Sequence, residues 1–328
     1  MAHGRLSGQD EAILPEYDGF ARVLDPTPVF LGTGDKLDLR RLKDCRLLIW
    51  EWGWTDTASR IVQQIGQESP IHILMFPCQL DRYWRELDIT SYPAQMGGLR
   101  ATHSIGVMLE DTCAYYRAVA PHANVFHMPV PVAVDYFHGL SKPLASRNPN
   151  RLLLTAPSRF TGRSSQMHIA TYLAFRELRR RFTDLQGVAF VYDDNERKEL
   201  EIILRDLELT TAVDVRSYMR PIDRFVAAIS DCYAGMCLSS GLVQGRLALI
   251  SACIGVPMVL TNEIETHRRL FPDTAVNWFD IDGAVERCSR LFADPAYHKR
   301  VCETAFQSVR YYDVPACRER MIQGTGLQ

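Results

Sequence analysis

At 328 residues the chain is long for one hydrophobic core and comfortable for two domains. Its apolar fraction of 47% and charged fraction of 23% are ordinary for a soluble globular protein. A net charge of −2 argues against nucleic acid or an anionic membrane as a partner, while leaving a local basic patch open. No stretch reaches the roughly 18 apolar residues a membrane span needs, and the opening "MAHGRLSGQDEAILPEYDGF" lacks the apolar heart of a secretory signal. Nine cysteines, an odd number with no CxxC pair and mostly inside apolar runs, read as reduced thiols of a cytoplasmic protein. No zinc site is expected from them.

Short apolar runs alternate with longer amphipathic stretches, the pattern of βαβ units. "CRLLIWEW" (45–52) reads as a buried strand, and "TDTASRIVQQIGQ" (55–67) as a helix opened by Thr55 or Asp56. "IHILMFPC" (71–78) is a second strand, "RATHSIGVML" (100–109) contains a third, "EDTCAYYRAVA" (110–120) is a helix and "ANVFHMPVPV" (123–132) a strand. "GLSKPLASRNPN" (139–150), rich in Gly, Ser, Pro and Asn, reads as the linker. This gives a first domain over 1–138 and a second over 151–328.

The alternation then restarts. "RLLLTAP" (151–157), "GVAFVYDD" (187–194), "AVDVRSYM" (212–219), "YAGMCLSS" (233–240) and "VPMVLTN" (256–262) read as strands. Between them lie amphipathic helices over 164–182, 196–209 and 222–232, and a helix over 245–255 that Gly255 ends. Two terminal helices follow over 281–294 and 296–312, and no repeat of fixed period is visible.

Four stretches carry a family resemblance: "HANVFHMPVPVAVDYF" (122–137), "LLLTAPSRFTGRSSQMHIATYLAF" (152–175), "FVYDDNERKELEIILRDLEL" (190–209) and "CLSSGLVQGRLALISACIGVPMVLTN" (237–262). In order and in small residues such as Ser239, Gly245, Gly255 and Pro257 they resemble the donor-binding half of the retaining GT-B glycosyltransferases, in particular glycosyltransferase family four. The resemblance covers about half the chain, and the first 120 residues by topology alone. It implies two Rossmann-like α/β domains facing each other across a cleft. It further implies transfer of a sugar from a nucleotide-diphosphate sugar to an acceptor hydroxyl, metal-independent and with no cofactor besides the donor.

Such a site must offset the charge of the leaving diphosphate with cations and helix N-termini. Arg159 and Arg163 follow one buried strand, and guanidinium holds phosphate bidentately. Five residues after Arg159, where the family has its lysine, stands Ser164, so the second cation is shifted by one position. Ser239, Ser240 and Gly241 close the next motif's strand; Gly245 opens the helix, where a missing Cβ lets backbone approach the ligand. The two glutamates that bracket this helix in the family are replaced by Leu242 and Ile250. Gln244 and Arg246 are the nearest polar side chains that can take over, or they are plain helix surface. With those acceptors absent, retention of configuration stays open, and so does a second reading: a catalytically degenerate glycosyltransferase-like protein serving as a binding subunit.

Tyr218 or Arg220 can stack on the base or ribose. In the first half, "IWEWGW" (49–54) puts Glu51 where the family often has a histidine; Glu51 can orient or deprotonate an acceptor hydroxyl. Trp52, Trp54 and His103 are candidate acceptor contacts, or parts of a packed interface. The acceptor itself, glycan, small molecule or polymer, is not specified by these residues.

Overall fold

The computed structural model describes residues 45–52, 56–77, 92–155, 169–219, 221–239 and 244–327. The chain divides into two compact units, residues 1–132 with 312–328, and residues 133–311.

In the first unit the order is β1 (Leu47–Trp52), α1 (Asp56–Glu68), β2 (His72–Pro77), α2 (Tyr92–Arg100), β3 (Ser104–Val107), α3 (Cys113–Val119) and β4 (Asn124–His127). The four strands pair in parallel in the order β1-β2-β3-β4. Successive residues of β2 face opposite ways, as the pleat requires. Ile73 and Met75 join a cluster with Trp50, Val62, Leu99 and Tyr116, whereas Leu74 and Phe76 join one with Met108, Met128 and Met321. Burial on both faces explains why the strands read as unbroken apolar runs. Trp50 belongs to this core, 5% exposed, with its indole N–H donating to Thr102 Oγ1 at 3.3 Å.

The second unit runs α4 (Val134–Gly139), β5 (Asn148–Leu154), α5 (Ile169–Arg181), β6 (Gln186–Val191), α6 (Asp194–Asp206), β7 (Val213–Ser217), α7 (Ile222–Ile229) and β8 (Cys232–Cys237). It continues through α8 (Arg246–Ile254), β9 (Met258–Thr261), α9 (Glu265–Leu270), β10 (Ala275–Val276), α10 (Ile281–Ala293) and α11 (Pro295–Val309). Its sheet has the order β10-β9-β8-β5-β6-β7, every pair parallel. Numbered within the unit and read from the β7 edge this is 3-2-1-4-5-6, the order of dinucleotide-binding sheets. The chain winds outward from β5 to β7, then restarts beside β5 at β8. The gap between β5 and β8 is therefore the switch point, where diverging connections leave a crevice at the carboxyl ends of the strands.

Aspartates open several of these helices, each satisfying backbone donors of the first turn. Asp193 accepts from Asn195 N and Glu196 N, Asp280 from Gly283 N, and Asp294 from Ala296 N and Tyr297 N. Asp231 joins Lys142, at 2.8 Å, and Arg151, which ties the start of β5 to the start of β8.

The chain finishes with α12 (Val314–Thr325), which packs on β3 and β4 of the first unit. Asn124 Nδ2 and Ser104 Oγ both donate to Gly324 O, at 2.7 and 3.2 Å. The sequence pattern ends the first domain at 138 and leaves 312–328 with the second; by compactness the division falls after Val132 and again at Tyr312. Within the expected linker 139–150, Arg147 is 8% exposed and reaches into the C-terminus of α8, and β5 begins at Asn148. Among the described residues no helix is long and apolar enough to cross a membrane.

Candidate functional site

The switch point of the second unit is bounded by the last residues of β5 and β8 and the first turns of α5 and α8. Thr171 Oγ1, in the first turn of α5, accepts from Leu238 N at 2.9 Å, and Tyr172 OH donates to Thr155 O at 2.9 Å. Ser239 Oγ pairs with Cys237 Sγ at 3.2 Å and is 3% exposed. Burial pushes the Cys237 thiol up, against hydrogen bonds from Ser239 and Thr155 that pull it down, so it stays protonated. Ser239 thus braces the strand end rather than presenting an open hydroxyl.

Gly245 is the N-cap of α8, with φ 70° and ψ 51°, in the left-handed region. A Cβ built there would stand 2.6 Å from His267 Nε2. The position therefore excludes a side chain twice, by torsion and by space. His267, in α9, is 2% exposed, and its Nδ1 lies 3.1 Å from Thr261 O. A carbonyl only accepts, so Nδ1 carries the proton. Burial lowers the His267 pKa to about 4, against the opposing hydrogen bond to Thr261. The ring is neutral at physiological pH, with its Nε2 lone pair turned to the Gly245 turn.

Next to this turn stands Arg246, the first residue of α8, partly buried, beside Gln244, which is 7% exposed. Burial lowers the Arg246 guanidinium to about 10, and it remains cationic at neutral pH. A cation beside the positive end of a helix is unfavourable on its own, and an anionic oxygen between the two is stabilised by both. The arrangement can hold a phosphate-like oxygen with backbone N–H groups and one guanidinium.

The aromatic candidate Tyr218 follows β7, where its ring contacts those of Tyr192, at 4.5 Å and 27°, and Phe225, at 4.9 Å and 41°. Ser239, Gln244, Gly245, Arg246 and Tyr218 thus all belong to the carboxyl edge of one sheet. Glu51 and Trp52 are the last residues of β1, level with Phe76 and Pro77 at the carboxyl edge of the first unit's sheet. His103 does not join them. It precedes β3 at the amino edge, where its Nδ1 accepts from Ile73 N at 3.1 Å and its ring packs near His72. Ligands of parallel sheets bind at the other edge, so this position lends the expected acceptor role of His103 no support. Arg159, Arg163, Arg220, Ser240, Gly241 and Trp54 lie outside the described residues, as do the side chains of Glu51 and Trp52.

Sequence reasoning did not name Thr171, His267 or Tyr192. Tyr192 sits inside a quoted motif and shows itself by its exposure of 51%. His267 carries no local signal, because its meaning arises only from a glycine 22 residues upstream.

Solved structures share this architecture. A UDP-forming α,α-trehalose-phosphate synthase from Burkholderia xenovorans superposes with a TM-score of 0.70 at 12% identity, covering 86% of this chain and 73% of that one. An E. coli trehalose-6-phosphate structure bound with UDP-2-fluoro glucose gives 0.70 at 11% identity over 88% and 75%. The sucrose-phosphate synthase of Thermosynechococcus elongatus gives 0.66 at 15% over 85% and 72%. These are GT-B glycosyltransferases, and the chain has the GT-B fold. At such identity the likeness is one of fold. A scan of protein-family models finds no match, and a search of curated proteins finds none.

Proposed function

We propose that the protein is a glycosyltransferase of the cytoplasm that moves a sugar from a nucleotide-diphosphate sugar to an acceptor hydroxyl, without metal or further cofactor. One observation carries the reading: the left-handed Gly245 turn opens α8 beside the switch point, with the Arg246 cation adjacent. Backbone N–H groups of that first turn and Arg246 hold the diphosphate, joined by Arg159 and Arg163, which follow β5 in the sequence. As the glycosidic bond breaks, these donors offset the charge that develops on the leaving phosphate, the part a metal plays elsewhere. Gln244 supplies hydrogen bonds toward the sugar. Glu51 orients the acceptor hydroxyl, and Trp52 and Trp54 offer it a stacking face. The resemblance to family four is kept for the donor half.

One observation favours the second reading, a binding subunit that transfers nothing. Ile250, at the place of the family's second glutamate, is 5% exposed in the apolar packing of α8. No carboxylate at that place clamps a ribose, and a lost acceptor for a buried hydroxyl costs about 1–3 kcal/mol.

A thermal-shift series with UDP-, GDP- and ADP-glucose in EDTA, followed by product analysis, tests both. At about 100 times its dissociation constant the right donor adds about 2.7 kcal/mol, a rise of about 5–10 °C for units of this size. Binding with slow release of free sugar supports transfer. Binding with no turnover favours the subunit reading, and no shift with any donor removes the assignment.

A further inference from the structure

We propose that His267 is a specificity-determining contact of the donor, its Nε2 accepting a hydrogen bond from a hydroxyl of the sugar to be transferred. The inference rests on the donor-binding reading above. It adds a residue that the resemblance does not supply, because His267 lies beyond the last stretch that carries it.

The ring is held from one side. Nδ1–H donates to Thr261 O, the last residue of β9, at 3.1 Å. That bond fixes the tautomer and leaves Nε2 with a lone pair and no proton. Arg268, next in the chain, donates to Asn262 O at 2.7 Å and Glu263 O at 3.2 Å, and its charge further disfavours a proton on His267.

The Nε2–Cδ2 edge of the ring lies against the turn that opens α8. A Cβ on Gly245 would stand 2.6 Å from Nε2 and 2.8 Å from Cδ2. Among the described residues Nε2 has no hydrogen-bond partner, although the side chain is 2% exposed. Polar atoms buried so far are ordinarily paired, and an acceptor without a protein partner is suited to a donor brought by a ligand. Glycine at 245 keeps the space in front of it open.

The chemistry of the two neighbours selects the group. The first turn of α8 favours an anionic oxygen, whereas a neutral imidazole lone pair repels one and attracts an O–H. A ligand that satisfies both presents a phosphate with a hydroxyl close beside it. In a nucleotide sugar the sugar is bonded directly to the leaving phosphate, and the ribose lies one phosphate further away. The sugar hydroxyl is therefore the group within reach of both. With Leu242 and Ile250 in place of the family's glutamates, His267 restores an acceptor on this side of the crevice.

Titration calorimetry at pH 8 on the wild type, His267→Asn and His267→Gln tests the assignment. The ligands are UDP-glucose, UDP-galactose, UDP-N-acetylglucosamine, GDP-mannose and ADP-glucose, each beside its nucleoside diphosphate. Asparagine keeps an N–H at the place of Nδ1 and loses the acceptor; glutamine keeps an acceptor near the place of Nε2. One neutral hydrogen bond changes affinity by about 2- to 12-fold. His267→Asn is expected to weaken the preferred nucleotide sugar by that factor with the nucleoside diphosphate unchanged, and His267→Gln to bind the sugar more nearly as the wild type does. A second measurement needs no variant: in 15N NMR of histidine-labelled wild type, a neutral histidine Nε2 resonance is expected to move on binding the nucleotide sugar and to stay on binding the nucleoside diphosphate. Wild-type affinity for the sugar donor in His267→Asn, or an unmoved resonance, overturns the inference while the donor reading stands. An equal loss for the nucleoside diphosphate also overturns it, because the side chain then acts on the turn and not on the sugar. A wild type that binds none of these ligands removes the donor reading first, and this inference with it.

Discussion

Gly245→Ala is expected to destabilise the second unit by about 2–5 kcal/mol and to abolish detectable binding of nucleoside diphosphates. Two independent costs add at this position. A residue with a Cβ pays roughly 1–2 kcal/mol in the left-handed region, where Gly245 sits at φ 70°. The new methyl then meets His267 Nε2 at 2.6 Å. That ring is 2% exposed and held by Thr261 O, so yielding to the methyl disturbs a packed site, typically a matter of about 1–3 kcal/mol. Any backbone shift that relieves the clash turns the first N–H groups of α8 away from the crevice, which is why ligand binding is lost along with stability. The pair can be separated by a double-mutant cycle in urea. His267→Ala removes the clash and leaves the torsional cost, so Gly245→Ala in that background is expected to be milder by about 1 kcal/mol or more. A Gly245→Ala variant that melts and binds like the wild type would show that the turn is not built as described.

The second large effect is expected far from any ligand. Arg147→Ala should cost about 3–5 kcal/mol and lower the melting temperature by about 10 °C or more. The guanidinium of Arg147 donates to Gly255 O and Ile254 O at 2.6 Å each, and to Lys142 O from Nε at 3.1 Å and Nη2 at 3.0 Å. Two of these carbonyls belong to the C-terminus of α8, whose last groups have no partner within the helix and carry its negative end. Gly255, left-handed at φ 69°, turns the chain there and exposes them to the fork. Burial lowers the Arg147 pKa, with the nearby Cys302 and Cys232 opposing, yet the group keeps its charge at neutral pH. Truncation leaves three acceptors facing an 8%-exposed hole. Arg147→Lys should recover little, since an ammonium cannot span the carbonyls as a planar fork does. Thermal melts of the three forms decide it; a lysine variant as stable as the wild type would mean that charge alone, and not the fork, caps α8.

Particular elements explain what could be read in advance. Parallel strands covered on both faces are apolar runs with turn residues at their ends, so β1, β2, β5, β6, β8 and β9 stand out in the sequence within a few residues. The same covering hides where a run begins. "RATHSIGVML" contains a strand without marking its first residue; β3 starts at Ser104, and that leaves His103 at the amino edge of the sheet. Short elements were missed because they have too few turns for a period: α9 has six residues and β10 two. α12 begins on Asp313-Val314-Pro315, a recognisable helix start, but its partner strand lies about 200 residues earlier, a pairing no local pattern contains. Part of the site was legible for the opposite reason. Gly245 and Gly255 are required by torsion, and a residue type dictated by backbone geometry can be read from the chain alone. That Tyr218 packs on Tyr192 and Phe225 depends on rings from the end of β6 and from α7, and only the fold brings them together.

A crystal structure of the protein with UDP, GDP or ADP bound tests the central claim most directly. The account predicts the diphosphate against the Gly245 turn and Arg246 at the first turn of α8, in the crevice between β5 and β8. A nucleotide seated elsewhere, or a crevice between β5 and β8 closed by the protein's own side chains at saturating nucleotide, would contradict it.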